Sequence, residues 1–233
     1  MLKDLKKDLL KLKNPDKAKI LSRFFKTGEG EYGEGDVFLG ITVPLQRGVA
    51  KKHLNLSLNE IQEILSSKIH EHRLTALFIL VDEYKKSDLV GKKKLFDFYL
   101  RNTKNINNWD LVDCTAPNIV GNYLLDKDKS VLYKLAKSNN LWEKRISIIA
   151  TYEFIKNNQF EDTLKIAELL LKDEHDLIHK AVGWMLRELG KRDQEKEELF
   201  LKKYASIMPR TMLRYAIEKF DETKRLFYLR SFK

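Results

Sequence analysis

The residues best suited to chemistry lie in NNWDLVDCTAP, positions 107–117. Trp109 and Asp113 are four residues apart, so on a helix they share one face. An indole face attracts a cationic group by about 0.5–2 kcal/mol. A carboxylate beside it can stabilise positive charge that develops during a reaction. The same pair also fits a structural role, because a helical Trp commonly fills a core and a buried Asp needs a partner. Arg145, 36 residues beyond Trp109, is spaced to be that partner. On residue types and spacing alone, both roles stay open.

Other clusters carry less. His175 and His179 are four apart, as a metal pair would be, but no HExxH pattern and no third ligand stand near them, and no metal is expected. Gly28, Gly30, Gly33 and Gly35 crowd into TGEGEYGEGD. Such a run can cradle phosphate, yet GK[ST] and GxGxxG are both missing and the stretch is acidic. It reads better as a flexible loop that lets backbone approach a partner. His70 and His72 point to different sides of a helix, and Ser57 reads as a helix cap rather than a nucleophile. Lys92, Lys93 and Lys94 read as a solvated face, while Lys191 and Arg192 complement a helix dipole.

Helices must position these side chains. Four prolines and ten glycines in 233 residues favour long helices over a turn-rich sheet. Two helices are expected over roughly 1–13 and 16–26, divided by Asn14-Pro15-Asp16. After the glycine-rich stretch, Pro44 suits the first turn of a helix that carries Arg47 and Lys51 on one face. Ser57 and Glu60 form a capping-box pattern. Pairs then follow, to about 67 and over 71–85, 92–101 and 108–124, 130–137 and 141–157, 162–172 and 176–190, and 195–205 and 209–219. Short loops and a period of roughly 36 residues predict an all-α fold. Its expected form is a right-handed superhelix (α-solenoid) of HEAT-like antiparallel helix pairs, one domain over 1–233.

The period runs through particular residues. Arg73, Trp109 and Arg145 recur every 36 positions, and Lys180 follows 35 later. Asp113 and Trp184 stand one helical turn beyond members of that series. Equivalent positions on stacked repeats line one surface, so these six residues are expected on one stripe. On a concave face the stripe would be a basic groove holding two tryptophans and a carboxylate. Asp110 lies about 100° around the helix from Trp109, so it is expected to face elsewhere and to tolerate replacement.

Lys and Arg number 44 against 34 Asp and Glu, a net charge of +10. This surplus favours a polyanionic partner, such as nucleic acid or a membrane surface. No apolar run is long enough to span a bilayer. The N-terminal Leu2, Leu5, Leu9 and Leu12 read as the stripe of a first core helix, not as a signal peptide. The single cysteine, Cys114, rules out an internal disulfide and fits a reducing, cytoplasmic compartment.

NNWDLVD, then the Arg of LWEKRISIIATYEFI, then the Trp of HKAVGWMLRELGKRD, resemble the AlkD family of DNA alkylation repair enzymes. The likeness continues through GEGEYGEGDVFLGITVP, HEHRLTALFILV and MPRTMLRYAIEKF, in order, over nearly the whole chain. It implies a DNA glycosylase that hydrolyses the N-glycosidic bond of positively charged N3- or N7-alkylated purines, such as 3-methyladenine and 7-methylguanine, in duplex DNA. It also implies that Trp109, Asp113, Arg145 and Trp184 form the active-site cluster. A cationic purine departs as a neutral base, so little general-acid help is needed. Asp113 would stabilise the oxocarbenium-like sugar and orient water, and Arg145 would bind a phosphate beside the lesion. The resemblance further implies that extrusion of the base into a pocket is unnecessary.

No cofactor is expected. Tyr32, Arg47, Lys51, Arg73, Arg187, Arg210 and Arg214 are the candidate DNA contacts. The expected protein is a monomer that associates with the nucleoid through DNA and not with a membrane. A noncatalytic HEAT-repeat module that binds nucleic acid or protein is the alternative, and the intact Asp113 speaks against it. An RNA-binding repeat protein lacks support from any RRM or KH motif.

Overall fold

The computed structural model describes residues 1–231. Among them all regular structure is helical, apart from one isolated parallel bridge between Val37 and Ile69. The chain divides into two compact units, Met1–Thr115 and Ala116–Lys233. No described helix is long and apolar enough to cross a membrane.

The first unit holds α1 (Leu2–Lys11), α2 (Pro15–Phe24), α3 (Val43–Lys52), α4 (Leu58–Leu65), α5 (His70–Lys86), α6 (Leu89–Arg101) and α7 (Trp109–Asp113). Leu2, Leu5 and Leu9 form the buried stripe of α1. Asn14 caps α2 by accepting from the Lys17 amide, with Pro15 in the first turn, where its missing N–H costs nothing. Ser57 and Glu60 make the reciprocal capping box at the start of α4. Helix α5 is the centre of the unit, with every side chain from His70 to Val81 buried. Its Glu71 is fully buried and accepts from the amides of Leu39, Gly40 and Ile41 at 2.9, 2.8 and 3.1 Å. One carboxylate thereby satisfies three amides of a non-helical segment. Gly40 has φ +83°, and a Cβ there would strike the Asn14 carbonyl, so only glycine fits.

The second unit opens with a π-turn, Pro117–Gly121, and α8 (Asn122–Leu124). Then come α9 (Ser130–Ala136), α10 (Leu141–Ala150), α11 (Tyr152–Lys156), α12 (Glu161–Leu169), α13 (Asp176–Gly190), α14 (Gln194–Tyr204), α15 (Arg210–Ala216) and α16 (Glu222–Ser231). Helix α13 packs against α10, α14 and α15. A Cβ on Gly183 would meet the Met212 carbonyl and Tyr215, so glycine sets the close approach of α13 and α15.

Three departures from the expected helices have local causes. The stretch 108–124 is not one helix: α7 ends at Asp113, and Pro117, which lacks an amide proton, opens the π-turn. The stretch 141–157 divides at Thr151, whose hydroxyl bonds the Ile148 carbonyl at 2.7 Å and competes with the backbone. Helix α16 lies beyond the last expected helix, started by Asp221, which accepts from the Lys224 amide at 3.0 Å.

Candidate active site

Helix α7 is only five residues long, and its surroundings fix its position. Asn108 is fully buried and accepts from the Trp109 amide at 2.8 Å. Asp110, Leu111 and Val112 point into the core. Trp109 and Asp113, one turn apart, are both half-buried. Trp109 lies flat on Phe25, with ring centroids 4.8 Å apart and planes at 13°. Phe24 meets it edge-on at 5.6 Å and is itself 60% exposed. Behind these rings lies a cavity of about 240 Å³, lined by Leu21, Phe24, Phe25, Phe38, His70 and Asp110 among others.

A buried charge network lies beneath the tryptophan. His70 Nδ1 is 3.0 Å from Asp36 Oδ2, and Nε2 is 2.8 Å from Asp110 Oδ2. Arg73 donates to both Asp36 oxygens, at 2.7 and 2.8 Å, and to the Ser67 carbonyl. The His70 ring stacks on Phe38 at 4.5 Å and meets Phe25 at 5.0 Å. Burial opposes the imidazolium, but Asp110 and Asp36 outweigh it and hold the pKa up at about 9. Burial likewise pushes the Asp36 carboxyl upward, while His70 and Arg73 overcome it and hold it below the usual range. At neutral pH two anions and two cations are therefore locked together. Asp110 faces away from Trp109, as expected, but into the core, where its side chain is bound to His70. Arg73, a candidate phosphate contact from the sequence, is 3% exposed and ion-paired with Asp36.

In the second unit, Arg145 projects from α10, 5% exposed, and donates to the Leu177 carbonyl in the first turn of α13. Trp184, half-buried on α13, donates through Nε1 to Glu188 at 3.2 Å and lies 6.3 Å from the Tyr152 ring. Lys180 pairs with Asp176 at 2.6 Å. His175 caps α13 by accepting from the Leu177 amide, and His179 meets the Asp173 carbonyl, so both have structural work.

The sequence model of the DNA alkylation repair enzyme matches residues 5–220. The chain belongs to the DNA alkylation repair enzyme family. A solved structure described as a predicted DNA alkylation repair enzyme from Enterococcus faecalis has the same fold, with a TM-score of 0.70. It is 17% identical, and the match covers 90% of this chain and 97% of that one. No curated protein matches the chain. Family membership makes this an enzyme of alkylation repair whose partner is DNA.

In this repair enzyme the remaining candidate contacts fall into distinct settings. Arg47 and Lys51 are exposed on α3, with the Arg47 guanidinium 3.9 Å from the Phe78 ring centroid. Arg214 is exposed on α15, and exposed Arg210 donates to the Leu229 carbonyl at 2.7 Å. Arg187 is largely covered and ion-paired with Glu218. Tyr32 is half-buried in the glycine-rich loop. That loop is ordered by its own acids, as Glu31 accepts from the Gly28 amide at 2.8 Å and Glu34 from the Gly30 amide at 2.9 Å. The amides a phosphate would need are thus occupied. Burial pushes the Cys114 thiol up to about 11.

Reading the sequence did not find Phe24, Asp36 or His70 as parts of this neighbourhood. They lie 85, 73 and 39 positions from Trp109 and outside the repeat register. The one local signal was the acid that closes the glycine-rich loop, Asp36.

Proposed function

We propose that the protein is a DNA glycosylase that hydrolyses the N-glycosidic bond of N3- and N7-alkylated, positively charged purines in duplex DNA. The observation that carries this reading is the joint display of Trp109 and Asp113 on one face of α7, in a chain matched by the family model over residues 5–220. In the reaction, water adds to C1′ of the deoxyribose as the C1′–N bond breaks. The bonding electrons pass to the purine, which leaves neutral, and the water proton passes to solvent. Positive charge builds on the sugar before water bonds. Asp113 stabilises that charge and orients the water, and the Trp109 face attracts the cation.

We assign Arg145, held by the Leu177 carbonyl, to a contact with a DNA phosphate. Exposed Arg47, Lys51, Arg210 and Arg214 supply sequence-independent backbone contacts. The enzyme acts as a monomer in the cytoplasm, without a cofactor. The test is single-turnover release of 7-methylguanine from methylated duplex DNA. The expected result is free base and one abasic site per excision. Tight DNA binding with no base release overturns the glycosylase assignment in favour of a noncatalytic DNA-binding role.

A further inference from the structure

We propose that His70 is a positioning residue for α7: held between Asp36 and Asp110 and packed through Phe25 onto Trp109, it fixes where Trp109 and Asp113 stand. A five-residue helix does not hold itself, because nucleation costs more than so few hydrogen bonds return. Three external tethers fix α7 at its first turn. Asn108 caps it, Phe25 stacks on Trp109, and His70 binds Asp110. Two of the three converge on the His70 ring. His70 is itself rigid, at the head of the fully buried stretch of α5. On its far side Asp36, from the end of the glycine-rich loop, closes the arrangement.

The charges around His70 make the tether depend on its proton. Asp110 of α7 and Asp36 of the loop each face a ring nitrogen, and only the doubly protonated imidazolium donates to both. Arg73, one turn along α5, neutralises Asp36 from the other side. Glu71, on the same helix, is turned to the Leu39–Ile41 amides, and Lys17 of α2 lines the adjoining cavity. When His70 loses a proton, one carboxylate faces a nitrogen lone pair and the grip on α7 loosens. The expected midpoint is near pH 9.

The experiment follows the indole ¹⁵N–H signals of the full chain by NMR from about pH 7 to 10, a span set to bracket the titration. Trp109→Phe assigns the signal. In the wild type the Trp109 signal moves with a midpoint near pH 9. In His70→Gln it is displaced at pH 7 and no longer titrates, and in Asp36→Asn its midpoint falls. Single-turnover base release by His70→Gln falls about 10- to 100-fold, as a misplaced reacting group would cause, while DNA affinity holds. A Trp109 signal that does not titrate, or that keeps its midpoint in folded His70→Gln, overturns the proposal. If that variant fails to fold, an unchanged midpoint in Asp36→Asn overturns it. The activity arm rests on the glycosylase reading and the spectroscopic arm does not: a wild type that releases no base refutes that reading and leaves the indole titration to decide on His70.

Discussion

Asp110 and Asp113 are one turn apart on α7 and carry opposite burdens. Replacing Asp113 with Asn should lower base release by roughly 10²–10³-fold, the effect of losing one well-placed electrostatic group. Its DNA affinity should hold, because a carboxylate near phosphates opposes binding. Asp110→Asn should instead lower folding stability by about 3 kcal/mol, since it breaks a buried ion pair and leaves the His70 imidazolium with Asp36 as its one remaining carboxylate. Urea unfolding and single-turnover release, measured on both variants, separate the two roles. Helical spacing separated the half-buried Trp109 from the inward-facing Asp110. It carried no hint that the second direction led to a histidine 40 residues earlier. His70 also leaves a mark on stability. Its pKa is raised on folding from about 6.5 to about 9, so its stabilising contribution is full below about 6.5 and is lost as pH rises through 9. Thermal midpoints should therefore decline between neutral and alkaline pH, and His70→Gln should flatten that decline. A wild-type curve parallel to that of the variant would contradict this.

Among the elements, the parts with local grammar were readable. Asn14-Pro15 and the Ser57–Glu60 box start helices where the chain says they should. Leucine spacing marked α1, and the paired helices were legible from apolar period and loop length. Interruptions were not. Pro117 and Thr151 sit inside runs whose apolar period continues across them, so period alone reads straight through. Helix α16 carries no clear apolar stripe and gave no periodic signal at all. Close helix contacts are also invisible without partners. Gly183 reads as a poor helix residue, yet it is what lets α15 sit against α13. Gly183→Ala improves local helix propensity by about 1 kcal/mol but drives a methyl into the Met212 carbonyl. The packing term should win, with a net loss of about 1–3 kcal/mol, measured by denaturant unfolding. A stabilised variant would show that α13 and α15 can part at little cost.

For the whole molecule, a net charge of +10 and a DNA partner predict binding that weakens steeply with salt. Arg47→Ala and Arg214→Ala, at exposed positions, should each reduce the log–log salt slope by about 1 and weaken binding alike across sequences. Arg73→Ala should leave the slope alone and lower the melting temperature, because its charge is committed to Asp36. Equal slopes for all three variants would remove the distinction between surface and interior cations. Cys114 has a practical consequence. A half-buried thiol whose pKa is pushed up to about 11 is a poor nucleophile at neutral pH, and it is the only one in the chain. A maleimide dye should therefore pass the native protein by. One cysteine introduced at an exposed site such as Lys94 or Lys202 would then be labelled alone, giving a fluorescent reporter for single-molecule observation on DNA with the native thiol left in place.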